Sequence, residues 1–130
     1  NPALWWLSGA AVLLVLVERG MAFWSGKGRV QNNEIQMYLL IGYLANWLPW
    51  MVVGRCTYLY LFMPAAVYGF MLLAWLMNGW LTAGSARVRG MGFVMLGAIA
   101  LSFLFWLPLS LGLPLTPEQL QMRWWMPSWI

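Results

Sequence analysis

Residues 35–86 read IQMYLLIGYLANWLPWMVVG, then Arg55, then CTYLYLFMPAAVYGFMLLAWLMNGWLTAGSA. Arg55 is the single charge between Glu34 and Arg87. A helix needs about 20 predominantly apolar residues to cross the hydrocarbon core of a bilayer. The first run fits one crossing, and the second holds one crossing plus a connection. Gly54 and Arg55 leave room for only a very tight turn between them. The pair therefore reads as a helical hairpin in a membrane. Backbone groups in lipid have no water to bond, so only helices and closed barrels can span it. The period-2 alternation of a barrel strand is missing here, which leaves helices.

The same reading extends outward. The long charge-free intervals of the 130-residue chain are 1–17, 35–54, 56–86 and 90–117. They predict four transmembrane helices near 3–23, 35–53, 57–78 and 91–110. The first runs past the pair Glu18–Arg19 through Met21, Ala22, Phe23 and Trp24. After the fourth helix, Thr116 suits an N-cap, Pro117 the first helical position and Gln119 the third, a capping-box pattern. A short helix to about Met122 should follow, within an interfacial segment 116–130. The predicted fold is all-α, one polytopic membrane domain over 1–130.

Composition agrees. The chain is 63% hydrophobic and 8% charged, against about 25% charged in an ordinary soluble domain. That excludes a soluble globular domain, a disordered chain and a nucleic-acid partner. There is no His, and Cys56 is the single cysteine. His-based catalysis, an internal disulfide and a Cys-rich metal site are thereby excluded. Asn1 rather than Met at the start reads as processing or as part of a longer protein. The first apolar run lacks the basic lead and small-residue cleavage pattern of a signal peptide.

The net charge of +4 works as a topology signal. Four alternating helices put the loops 25–34 and 79–90 on one side, with Arg19, Lys27, Arg29, Arg87 and Arg89. The other side holds Arg55 and Arg123. The positive-inside rule then makes the two loops cytoplasmic, with both termini extracytoplasmic. Trp5, Trp6, Trp47, Trp50, Trp106, Trp124, Trp125 and Trp129 fall toward the outer face, and Trp24, Trp75 and Trp80 toward the inner one. This is either an anchoring girdle or an aromatic surface (Trp47, Trp50, Trp124, Trp125, Trp129) that holds a lipid, a pigment or a partner helix.

The stretch Asn46–Ala65 carries the candidate chemistry. Pro49 and Pro64 each remove a backbone donor and bracket Arg55. Asn46, Thr57, Tyr58 and Tyr60 are the polar side chains that could serve the freed carbonyls. Arg55 has two main readings beside an intramolecular ion pair. It snorkels to headgroups, or its planar fork grips the phosphate of a specific lipid. Ala65 with Gly69, and Ala98 with Ser102, are small pairs four apart that suit close helix packing. Glu18 and Glu34 should pair with nearby cations. No two carboxylates are placed for acid–base work, so no catalytic residue and no metal ligand is assigned.

These motifs resemble a known family. Asn1-Pro2 through Trp5-Trp6 is similar to the opening "GNP-x-x-W-W" of the C-terminal four-helix membrane domain of the protein O-mannosyltransferases. These are dolichyl- or polyprenyl-phosphate-mannose-dependent enzymes of the GT-C class. Tyr43 through Trp50, then Arg55 and Tyr60, resembles its Y-x-x-x-W-x-P-W, R and Y-H-x-x-P-A elements. Trp125-Met126-Pro127-Ser128-Trp129 resembles its terminal W-x-P-S-W. Leu61 stands where the family has His, and Ala66 where Leu is usual. The family's catalytic acidic pair lies in an early extracytoplasmic loop that these residues do not include. The resemblance implies a domain that helps bind the lipid-linked sugar donor, with Arg55, Tyr60 and Asn46 as the lipid-phosphate residues.

Two leading functions remain open from sequence, with a small transporter or channel as a third. One is a non-catalytic domain or accessory subunit that packs with other membrane subunits and binds lipid. The other is a fragment of an active mannosyltransferase that helps hold a polyprenyl-phosphate-mannose donor. No intrinsic cofactor is expected. A bound lipid or polyprenyl phosphate is, and contact with a pigment through Trp and Met is compatible with the composition.

Overall fold

The structure, a computed structural model, describes residues 1–25, 34–53 and 59–123, with the side chains of 59 and 60 excepted. Five helices follow one another: α1 (Pro2–Trp24), α2 (Glu34–Val52), α3 (Leu59–Leu81), α4 (Ala86–Ser110) and α5 (Pro117–Gln121). Among the described residues there is no strand.

The hairpin read from residues 35–86 is present as α2 and α3 side by side. Tyr38 meets Tyr68, and Tyr43 meets Phe62, so the two helices run antiparallel. α3 is the hub of the bundle. Leu72 joins Val12 and Val15 of α1 and Leu39 and Leu40 of α2 in one core cluster. Leu73 and Met77 join Ala11 in a second, with Met95 and Ile99 of α4 packed against it. Such a bundle is held by close packing and cross-helix hydrogen bonds, since lipid tails are as apolar as the side chains themselves. Close packing is visible where Gly42 lies under the Tyr68 ring and Gly69 under the Tyr43 ring, each helix accepting the other's tyrosine at a glycine.

Three of the helices are long and apolar enough to cross a membrane: α1, α3 from Leu61, and α4. α2, expected as a fourth full span, falls short of that apolarity. Its 19 residues reach about 28 Å, a sufficient length. However, Gln36, Asn46 and Pro49, together with Tyr38, Tyr43, Trp47 and Trp50, dilute its aliphatic content.

A second correction concerns the 79–90 connection. α3 continues to Leu81 rather than stopping near 78, and α4 begins at Ala86 rather than 91. Leu81 packs against Gly92, and the Thr82 hydroxyl bonds the Asn78 carbonyl at 2.7 Å. These contacts extend the helix past Gly79. Arg87 and Arg89 are simply exposed on the first turns of α4. The expected packing pair Ala98–Ser102 also divides. Ser102 is turned inward, whereas Ala98 is exposed.

α4 ends at a glycine. Gly112 adopts φ +65°, the left-handed conformation that favours glycine. The Leu113 N–H bonds the Pro108 carbonyl and the Gly112 N–H the Leu109 carbonyl, the paired bonds of a Schellman stop. The predicted capping box of α5 is formed, with Thr116 Oγ1 accepting from the Gln119 N–H and Gln119 Oε1 from the Thr116 N–H, both at 3.3 Å.

Candidate functional site

The end of the bundle that carries Asn1, the C-terminus of α2 and the start of α3 gathers the polar and aromatic side chains. Asn1 is the N-cap of α1, its Oδ1 accepting from the Leu4 N–H at 3.4 Å. The same oxygen accepts from the Ser102 hydroxyl at 2.7 Å, and the Asn1 amide donates to the Ile99 carbonyl at 3.2 Å. One side chain thus starts α1 and ties it to α4. An N-cap is worth about 1 kcal/mol, and a satisfied part-buried bond adds about the same. Asn1→Ala should therefore destabilise the protein by about 2 kcal/mol in thermal unfolding in detergent. Asn1→Asp, which keeps both acceptor roles, should lose less. Equal melting of the alanine variant and wild type would rule this tie out.

Beside Asn1, Trp5 stacks on Phe62 at 5.8 Å and meets Phe70 edge-on at 5.4 Å. Phe62 meets Tyr43 edge-on at 6.3 Å, and Tyr43 lies 6.1 Å from Trp47. An aromatic chain therefore runs from α2 through α3 to α1. Aromatic pairs of this geometry add to simple burial. Trp5 and Trp47 are turned partly into the bundle, while Trp6 and Trp50 face outward. Hydropathy alone gives no signal for Phe62 and Phe70, because it scores them like any other apolar residue of the run and says nothing of which ring they meet.

Of the sequence-derived site residues, Asn46 is partly buried and donates to the Gly42 carbonyl of its own helix at 2.8 Å. The carbonyl freed by Pro49 is that of Ala45, four residues back, so Asn46 does not serve it. Tyr60 stands in the first turn of α3. Arg55, Thr57, Tyr58, Trp124, Trp125 and Trp129 lie outside the described residues. Arg123 is not a free headgroup cation. Its Nε donates to the Phe105 carbonyl at 2.8 Å and Nη1 to the Gln119 carbonyl at 2.7 Å, and the guanidinium lies 4.6 Å over the Phe105 ring. Trp106 Nε1 donates to the Arg123 carbonyl at 3.3 Å. Arg123 thus fastens α5 to α4.

At the opposite end, Arg19 reaches across to α2, its Nη2 donating to Gln36 Oε1. Glu18 is exposed on an adjacent face of α1 beside Leu14, Val17 and Met21 and makes no ion pair among the described residues, and the nearby cations Lys27 and Arg29 lie outside them. Among the described residues no group of His, Cys, Asp and Glu could hold a metal ion.

Residues 1–129 match the family model described as the C-terminal four TMM region of protein-O-mannosyltransferase. The chain belongs to the protein O-mannosyltransferase family. Its relatives include the polyprenol-phosphate-mannose–protein mannosyltransferase of Mycobacterium tuberculosis, 26% identical over 99% of this chain and 24% of the relative. Dolichyl-phosphate-mannose–protein mannosyltransferase 3 of Saccharomyces cerevisiae is 22% identical over 99% of this chain and 19% of the relative. Protein O-mannosyltransferase 1 of Drosophila pseudoobscura pseudoobscura is 26% identical over 99% of this chain and 16% of the relative. The chain thus spans about a quarter or less of the length of these curated relatives. No solved structure matches. The family gives this end of the bundle its context: Asn1, Trp5 and Tyr43, which fall in the motifs that resemble those of the protein O-mannosyltransferases, are among the side chains that join α1, α2, α3 and α4 there.

Proposed function

We propose that this chain is a non-catalytic membrane domain of protein O-mannosyltransferase type, which shapes the membrane core of a larger assembly and holds the phosphate of a lipid-linked sugar donor. The observation that carries the reading is the match of residues 1–129 to the C-terminal membrane region of the family. It occurs in a chain with no His and with three acidic residues, Glu18, Glu34 and Glu118, far apart in sequence. The acid–base chemistry of mannosyl transfer then belongs to other segments or subunits. Arg55 and Tyr60, at the α2–α3 connection, are the residues we assign to the lipid phosphate, with Asn46 on the same end of α2. The donor is of the polyprenyl-phosphate-mannose class named for the mycobacterial relative.

The end with Asn1, Arg55 and α5 faces the periplasm or lumen in this proposal, because five of the seven basic residues, Arg19, Lys27, Arg29, Arg87 and Arg89, belong to the other end. The test is retention of polyprenyl phosphate by the purified protein, read by mass spectrometry. Arg55→Ala should weaken retention about tenfold, as expected for loss of a charge-assisted bond. Unchanged retention would leave Arg55 a headgroup snorkel and remove the phosphate assignment. An intact mass of 14.9 kDa for a chain purified within a complex would make the domain a separate accessory subunit. A larger mass would make it part of the transferase polypeptide.

A further inference from the structure

Arg19 carries a charge that no carboxylate among the described residues neutralises. Its Nη2 bonds Gln36, a neutral amide that is only 1% exposed. Its Nε is buried with no hydrogen-bond partner among the described residues. The whole sequence holds three carboxylate side chains, and none lies in residues 26–33, 54–58 or 124–130. Glu18, Glu34 and Glu118 are all described and exposed, and none of them is bonded to Arg19. A partly buried guanidinium at the edge of a membrane span calls for a partner that satisfies it, and no carboxylate of these residues supplies one.

The surroundings select the class of anion. Arg19 lies about 26 Å along α1 from Pro2, close to the thickness of the hydrocarbon core. That places the guanidinium near the headgroup level of one leaflet, where the abundant anion is lipid phosphate. The same end bears Arg87 and Arg89, exposed on the first turns of α4. The Ser85 side chain makes no capping bond there, so the positive end of the α4 dipole adds to those cations. Such an end attracts anionic headgroups. A guanidinium fork matches phosphate oxygens in shape and charge.

We infer that Arg19, positioned by Gln36, binds the phosphate of an anionic phospholipid at the end of the bundle opposite the proposed donor site. The site is independent of Arg55 and stands whether or not the donor assignment holds. It is tested on the detergent-purified protein by titration with phosphatidylglycerol, read by native mass spectrometry, against Arg19→Gln and Gln36→Glu. Arg19→Gln removes the charge. Gln36→Glu hands Arg19 an internal carboxylate and should tighten the helix pair, so it also controls for folding. Both should weaken phosphatidylglycerol binding about tenfold, with Gln36→Glu melting no lower than wild type. Equal lipid affinity in all three proteins would overturn the assignment. Millimolar inorganic phosphate should leave the bound lipid in place; its displacement would show a free-phosphate site and overturn the lipid one.

Discussion

Replacing Gly42 by leucine lowers the stability of the protein by about 3 kcal/mol, and replacing it by alanine by about 1 kcal/mol, on the scale of overpacked cores. A Cβ on Gly42 would sit 2.6 Å from Cδ1 and 2.8 Å from Cζ of Tyr68, and closer still to Cε1. A ring carbon cannot yield as the end of a flexible chain can. Tyr68 is also flanked edge-on by Tyr38 at 6.2 Å. Alanine gains about 1 kcal/mol over glycine in helix propensity, which offsets part of the clash and makes its net loss the smaller. Equilibrium unfolding in detergent measures both. Tyr68→Ala in the Gly42→Leu background should restore most of the loss, since it removes the ring. Gly97→Ala is the control, because nothing lies within 4 Å of a Cβ there, and it should be neutral or slightly stabilising. A Gly42→Leu protein as stable as wild type would mean that α2 and α3 do not meet at this glycine.

The elements were legible because charge is so scarce. A residue that must avoid lipid marks each end of an apolar run, and the capping residues of α5 act within one turn, so both signals are local. Arg87 and Arg89 misled for the same reason. Charge marks where lipid ends, whereas a helix stops where its hydrogen bonds stop, and α4 begins at Ala86 with both arginines exposed on its surface. The pairings were not legible. Asn1 was visible as part of a motif, yet its bonds to Ile99 and Ser102 link residues 98 and 101 positions apart and depend on how α1 meets α4. Asn46 was assigned to a carbonyl freed by proline, but an asparagine within a helix can also reach its own preceding turn, and does. Glu18 and Arg19 read as an interfacial pair. Successive helix positions point about 100° apart, so the two side chains serve different faces.

That divergence makes Gln36→Leu the other strongly destabilising change. Gln36 is 1% exposed and supplies the one hydrogen-bond acceptor that Arg19 has among the described residues. Leucine fills similar space but offers no acceptor, and Arg19 Nε is already without a partner. Loss of a bond to a charged group costs about 1.5–3 kcal/mol. Breaking a fully buried pair costs about 3–5 kcal/mol. Arg19 is only partly buried and its stem can swing toward the interface, so a loss of about 2–3 kcal/mol is expected. Arg19→Leu should also destabilise, because it leaves the Gln36 amide buried and unsatisfied. The double variant Arg19→Leu/Gln36→Leu removes both polar groups at once and should be close to wild type, as when a buried polar pair is exchanged for apolar residues. The measurement is a double-mutant cycle by unfolding in detergent. A coupling near zero, with the two losses simply adding, would show that α1 and α2 are not joined through Arg19 and Gln36. Recovery in the double variant would locate the connection in this one bond and leave Arg19 as a charge kept for something other than stability.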